Sequence, residues 1–367
     1  MSAWAWPSVP LLFLSDLHAD AEAFARSLAL AELERVPAAK VVVGGDLLDK
    51  GPDELALLRA LGELRREREL ILLLGNHDLR FELALRHMGA RDPRRSHFVV
   101  RLGLKGLRFL RRLYRQAGAP PPARGEAEAR ARLDLPAGWA EGFRAEIGAA
   151  LPPAGLEREI TRAHAKAAAL ADALQGDFAW AELDAALELA RARFLDPAGE
   201  FAWVLAAGRL CWRAGDFLFV HAGVCDAFAQ RLASEGPAGL ERERRQQAER
   251  DPAALYYGPL GNALRTKYRA ELDPPLTAAG AAALSRMGVR ALVTGHRPDP
   301  AGPRLARYGG VLHLEGDCCL DAASRAARGL PADGAGALWL WPRGEAEGLT
   351  PGRRISLRPE ESAAGSV

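Results

Sequence analysis

The chain has 367 residues, with 49 Lys and Arg against 47 Asp and Glu, enough to bury a large core in one or two domains. A formal charge of only +2 argues against a molecule that binds nucleic acid through its net field. No apolar stretch approaches the ~18 residues of a membrane span, and the first ten residues lack the basic segment and apolar core of a secretory leader, so a cytoplasmic location without a membrane partner is expected.

Residues 10–14, 40–43 and 70–74 are short apolar runs, and each stops at a polar cluster. The clusters are Ser15-Asp16-Leu17-His18, then Gly44-Gly45-Asp46-Leu47-Leu48-Asp49-Lys50-Gly51, then Gly75-Asn76-His77-Asp78. Runs of this kind read as buried parallel strands, whose carboxyl ends are where open α/β sheets gather ligands. Between them, residues 20–35 read as a helix capped by Asp20, residues 52–68 as a second and residues 78–88 as a short third.

Residues 90–197 change character. Helical spacing recurs at 101–117, 125–133, 139–149, 155–174 and 179–194, and Trp139, Phe143, Phe178 and Trp180 argue against a disordered linker. The segment reads as a helical insertion over the site. Within it, Arg101, Lys105, Arg108, Arg111, Arg112 and Arg115 line a basic amphipathic helix. A solvated face is the first reading, with anion recognition or membrane-surface binding as alternatives. Residues 241–250 read as an exposed helix of mixed charge.

Strands then return. Residues 209–213 and 217–221 flank the turn Ala214-Gly215-Asp216, and the second of them runs into His221-Ala222-Gly223-Val224. Residues 291–294 lead into Gly295-His296-Arg297-Pro298. Residues 304–308 and 311–315 form a hairpin about Gly309-Gly310, and residues 337–341 and 354–357 are the last strands. The polar tail from Pro359 reads as loose. Cys211, Cys225, Cys318 and Cys319 show no C-x-x-C spacing and read as reduced, packed thiols. His87, His97 and His164 read as surface or packing residues of the insertion.

Taken in order, D-x-H, G-D-x-x-D-x-G, G-N-H-D, V-H-A-G and G-H-R resemble the calcineurin-like metallophosphoesterase superfamily. Within it, the chain is similar to the phosphoprotein-phosphatase branch of the bacterial or Shewanella-like type. The likeness covers residues 10–100 and about 198–320. It implies an α/β fold, a β-sandwich flanked by helices with a helical cap insertion. The core would be 1–90 and 198–358, the cap 91–197 and the flexible tail 359–367.

The resemblance also implies chemistry. A phosphoric ester hydrolase of this kind carries two divalent ions, manganese first with iron or zinc as alternatives, because carboxylate oxygens and imidazoles suit them. Asp16, His18 and Asp46 would hold the first ion, and Asp46, Asn76, His221 and His296 the second. The reaction would be direct attack of a metal-bound hydroxide on the phosphorus. His77 would be the general acid, with Asp49 orienting it. Lys50 stands where the family pattern has Arg, giving a movable point charge in place of a fork. Asn76, Lys50, Arg265 and Arg297 would face the substrate, with Arg269 close behind Arg265. Asp317 would sit beside the ligands, and His313 is a candidate for the absent second His of G-H-x-H.

The substrate class implied is a phosphate monoester, either a phosphorylated small molecule or a phosphoprotein bearing Ser, Thr or Tyr phosphate. Asp78 in Gly-Asn-His-Asp also fits the diadenosine tetraphosphatases, which keeps dinucleoside tetraphosphate hydrolysis open. A catalytically weak metal-binding scaffold is a third reading, against which the presence of both His77 and Asp49 argues. The sequence carries no signal of oligomeric state, and the GC-rich composition fits a bacterial source.

Overall fold

The structure, a computed structural model, describes residues 3–176 and 178–364, without the side chains of 362–364. The apolar runs become strands because their side chains are covered on both faces. β1 (Leu11–Leu14), β2 (Lys40–Val43) and β3 (Leu70–Leu72) pair in parallel. Every residue of β1 is buried, which favours a continuous apolar run over alternation. Eight strands follow: β4 (Cys211–Ala214), β5 (Phe217–Val220), β6 (Ala291–Thr294), β7 (Arg304–Tyr308), β8 (Val311–Glu315), β9 (Ala337–Trp341), β10 (Glu345–Thr350) and β11 (Arg353–Leu357).

They form two sheets, ordered β11-β10-β9-β1-β2-β3 and β4-β5-β6-β8-β7. In the second, β5, β6 and β8 are parallel, and the hairpin partners β4 and β7 are antiparallel. The sheets face one another across Leu11, Phe13, Val42 and Leu338 on one side and Phe217, Phe219, Val293 and Leu314 on the other. That is a sandwich core closed by interleaved apolar side chains. Helices Ala21–Leu30 and Glu54–Glu67 flank the sandwich and are capped by the carboxylates of Asp20 and Asp53. Both expected hairpins form. β10 has no counterpart in the expected elements. Its sequence, Glu-Ala-Glu-Gly-Leu-Thr, has poor strand propensity, and pairing with β9 and β11 overrides that.

The chain packs as two compact units. One comprises the residues up to Asn76, Ala207–Arg242 and the residues from Pro259 on; it holds both sheets. The other is His77–Ala206 with Glu243–Gly258 and is helical. The helical unit includes the expected insertion 91–197 with flanking residues on both sides, and it takes in a second, distant segment. Aromatic packing explains both. Phe81 meets Phe109 and Phe194 at 5.4 and 5.0 Å, and Tyr256 meets Phe98 at 5.8 Å.

Two readings of charge change as well. Arg101 does not lie on a solvated face. It is buried against Glu159, Tyr256 and Tyr257. Residues 241–250 are helical, but Arg244 is buried and paired with Glu82 at 2.9 Å. From Pro359, residues through Ala364 form a short helix, and the rest of the expected tail lies outside the described residues. The four cysteines are buried and free, and burial pushes the Cys211 thiol up to about 12. No described helix is long and apolar enough to cross a membrane.

Candidate metal centre

The polar clusters converge because the strand-end loops are stitched together by backbone. Asp16 N–H donates to Gly45 at 3.0 Å, His18 N–H to the Asp46 carbonyl at 2.9 Å, and Gly295 N–H to the His221 carbonyl at 2.8 Å. Two bonds tie the sheets across the sandwich. His221 Nδ1 donates to the Gly44 carbonyl at 2.6 Å, and His296 N–H donates to Asp16 Oδ2 at 2.8 Å.

The site is strained where it is polar. Asp16, His18, Asp46, Asp49, Lys50 and His296 all have positive φ, from +45° to +72°, a conformation that costs non-glycine residues about 1–3 kcal/mol each and clusters at functional sites. Two glycines permit the close approach. A Cβ at Gly75 would meet Asp46 Oδ1 at 2.1 Å, and one at Gly295 would meet Ser15 Oγ at 1.9 Å. The glycines of these motifs are therefore needed for room beside the carboxylates.

Asp16, Asp46, His221 and His296 each present a ligand atom, and the four atoms lie within 4.8 Å of one another. His18 Nε2 is 3.8 Å from Asp16 Oδ1 and 3.8 Å from Asp46 Oδ2, and His221 Nε2 is 3.6 Å from Asp46 Oδ1. The imidazole tautomers suit a cation. With Nδ1–H on Gly44, His221 turns its Nε2 lone pair inward, and that atom is buried without a hydrogen-bond partner. His18 likewise gives Nδ1–H to the Leu48 carbonyl at 3.2 Å. Backbone carbonyls that fix the tautomer behind a ligating imidazole are a regular feature of metal sites.

The protein around His296, then the charges of His221, Lys267 and Arg297, pull its pKa well below the usual histidine range, which keeps the ring neutral and able to ligate. Burial and the Asp16 carboxylate push Asp317 well above the usual carboxylate range. Asp16 and Asp46 converge here beside the imidazoles, and a divalent cation would balance them. The donor set of oxygen and imidazole nitrogen fits Mn²⁺, Fe²⁺ or Zn²⁺.

The remaining expected site residues fall into three groups. Asn76 is buried, begins the helix Asn76–His87 and follows Gly75, which packs on Asp46. His77 is the next residue of that helix, and Asp49 is buried on the loop after Asp46. Arg265 lies half-buried on the loop whose residue Ala263 accepts from the backbone N–H of Ala222 and Gly223.

Arg297, expected to face the substrate, is bonded by protein groups. Its guanidinium bonds Glu315, the carbonyls of Ala222 and Thr266, and Thr294 Oγ1, and it stacks on Tyr308 at 4.9 Å. It is a buried clamp, because Glu315 at the end of β8 offers a full counter-charge. Arg269 is likewise forked onto Asp273. His313 packs edge-on against Tyr268 and Tyr308, so it does not replace a second site histidine.

Two contributors escaped the sequence reading. Ser15 Oγ donates to Asp16 Oδ2 at 2.6 Å; its place just before D-x-H was the available signal. Lys267 is lowered by burial and Arg269, while Asp317 and Asp16 act on it in the opposite sense. Two residues past Arg265, it had no motif to mark it.

A strained, carboxylate- and imidazole-lined centre therefore lies at the strand ends of an α/β sandwich, with a donor set that could hold a divalent ion. Residues 9–119 match the family model of the calcineurin-like phosphoesterases. Among solved structures, a cold-active protein tyrosine phosphatase is similar over 97% of this chain and 81% of its own, at 14% identity and TM-score 0.52. A point mutant of a cold-active protein tyrosine phosphatase gives 13% identity and TM-score 0.50, over 98% and 83%. A structure from a psychrophilic Shewanella species gives 13% identity and 0.47, over 98% and 83%. At these identities the first two speak for the fold alone. Comparison with curated proteins finds no match.

Proposed function

We propose that the chain is a binuclear-metal phosphomonoesterase, acting on a phosphorylated small molecule or on Ser, Thr or Tyr phosphate in a protein. The observation that carries this reading is the convergence of Asp16, Asp46, His221 and His296 within 4.8 Å in a chain that also has His77 after Asn76. Asp16, His18 and Asp46 would hold one ion; Asp46, Asn76, His221 and His296 would hold the other. When bound, such ions polarise a phosphoryl oxygen and lower the pKa of water to near neutral.

The chain's own residues supply the rest. His77 gives its Nε2 or Nδ1 proton to the departing alkoxide oxygen, and Asp49 holds that imidazole protonated. Lys50 and Arg265 neutralise phosphate charge, Lys50 as a point charge where a fork would orient more strictly. Asn76 contributes a neutral carbonyl oxygen. We take 1–90 and 198–358 as the catalytic core and 91–197 as a helical insertion.

The test is hydrolysis of p-nitrophenyl phosphate, its bis ester and diadenosine tetraphosphate by chelated protein with Mn²⁺ restored. Monoester turnover is expected, and His77→Ala should keep its metal while losing on the order of 10²–10⁴ in rate. Preference for the dinucleotide would move the reading to nucleotide hydrolysis. No turnover at full metal loading would make the chain a metal-binding scaffold.

A further inference from the structure

Lys50 is not extended toward open solvent. Its Nζ donates to His18 Nε2 and contacts Ser324 Oγ at 3.3 Å. The donor sense is fixed, because an ammonium cannot accept and His18 already spends its Nδ1–H on the Leu48 carbonyl. The lysine is held in this pose from both ends. Asp49 and Lys50 take consecutive left-handed conformations, φ +71° and +72°. Ser324 is set by its N–H on Asp321 at 2.7 Å, in a short helix tied to Asp20 through Ala322 at 3.0 Å.

The atom that Lys50 engages is the one that faces Asp16 and Asp46, each 3.8 Å from His18 Nε2. An imidazole nitrogen has one lone pair, so Nε2 binds either an N–H donor or a metal ion. Lysine's compact charge suits a cation's position better than a planar guanidinium does. The other side of the centre is built differently. His221 Nε2, beside Asp46, meets no hydrogen-bond donor.

We propose that Lys50 is a resident cation of this centre, competing through His18 Nε2 with the ion that Asp16, His18 and Asp46 would share. The proposal rests on the metal-dependent reading above and adds an asymmetry to it. One ion position, around Asp46, His221 and His296, is firm. The other fills only when the ammonium is displaced, which releases Lys50 toward the phosphate.

The test is Mn²⁺ binding to chelator-stripped chain, counted by equilibrium dialysis and by the electron paramagnetic resonance signature of a coupled pair. Wild type should bind one ion at least about tenfold more tightly than the second, the scale expected for a charge within a few ångströms. Lys50→Met should tighten the second ion by at least about tenfold and leave the first unchanged, bringing in the pair signal at lower Mn²⁺. Ser324→Ala, which loosens the lysine without removing it, should shift the second ion in the same direction by less. Unchanged binding in both variants, or equal tightening of both ions, overturns the proposal while the metal centre stands. Absence of bound ion in all three chains overturns the metal centre and the proposal together.

Discussion

Paired burial of charge occurs in both units, Arg297 with Glu315 in the sandwich unit included, but only the sandwich unit gathers like charges. In the helical unit, buried charges find opposite charges of the same unit: Arg244 pairs with Glu82, Arg101 with Glu159, and Asp184 with Arg124 and Arg132. In the sandwich unit, Asp16, Asp46 and Asp317 share one buried region, and the imidazoles there point their lone pairs inward. The first arrangement is complete with protein alone. The second gathers carboxylates and imidazole lone pairs around the Lys50 ammonium, a set that would also suit a divalent cation. Burial of charge therefore does not mark a site by itself; convergence of like charge on strained backbone does.

The strongest way to break this comparison is to unbalance the helical unit. Arg244→Met removes one of the two arginines seen on Glu82, the other being Arg86 at 2.8 Å, and should destabilise the fold by about 3–5 kcal/mol, measured by urea unfolding. Metal content should be unchanged; its loss would show that the pairs are not purely structural. A smaller effect is expected from acid.

Burial, helped by the Arg101 charge, pulls His97 down to about 3 from 6.5. The folded state thus holds His97 neutral while the unfolded chain takes up a proton below its own pKa. Stability from this group is complete above about pH 6.5 and is lost as pH falls toward about 3. His97→Phe should flatten that slope, to be read as unfolding free energy at pH 7 and pH 5. An unaltered slope would assign the acid sensitivity elsewhere. The smallest effect is expected at Leu104, an exposed apolar side chain. Leu104→Ser should stay within about 0.5 kcal/mol, and a larger change would mark that face as covered.

Much of this was legible in sequence because the same residues set both strand ends and chemistry. The apolar runs before Asp16, Asp46, His221 and His296 gave the strands, and the first three motifs lie in the segment 9–119 that matches the calcineurin-like phosphoesterase model. The helical periods of the insertion matched closely, as with 125–133 against Glu126–Leu133.

What escaped was long-range. No local pattern reveals that Tyr256 and Tyr257 return to pack on the helices of residues 98–143, or that Glu315 pairs with the Arg297 guanidinium. Arg244 and Arg101 looked solvated because their partners lie 162 and 58 residues away.

The central claim is that Asp16, Asp46, His221 and His296 form a divalent metal site. The most direct test is Mn²⁺ bound per chain, after dialysis, in wild type and in Asp46→Asn, with circular dichroism confirming that both are folded. The account predicts that wild type retains metal and that Asp46→Asn weakens binding by at least about 100-fold, beyond the 10–100-fold typical of lost outer-shell partners. Equal metal retention by the two folded chains would contradict it.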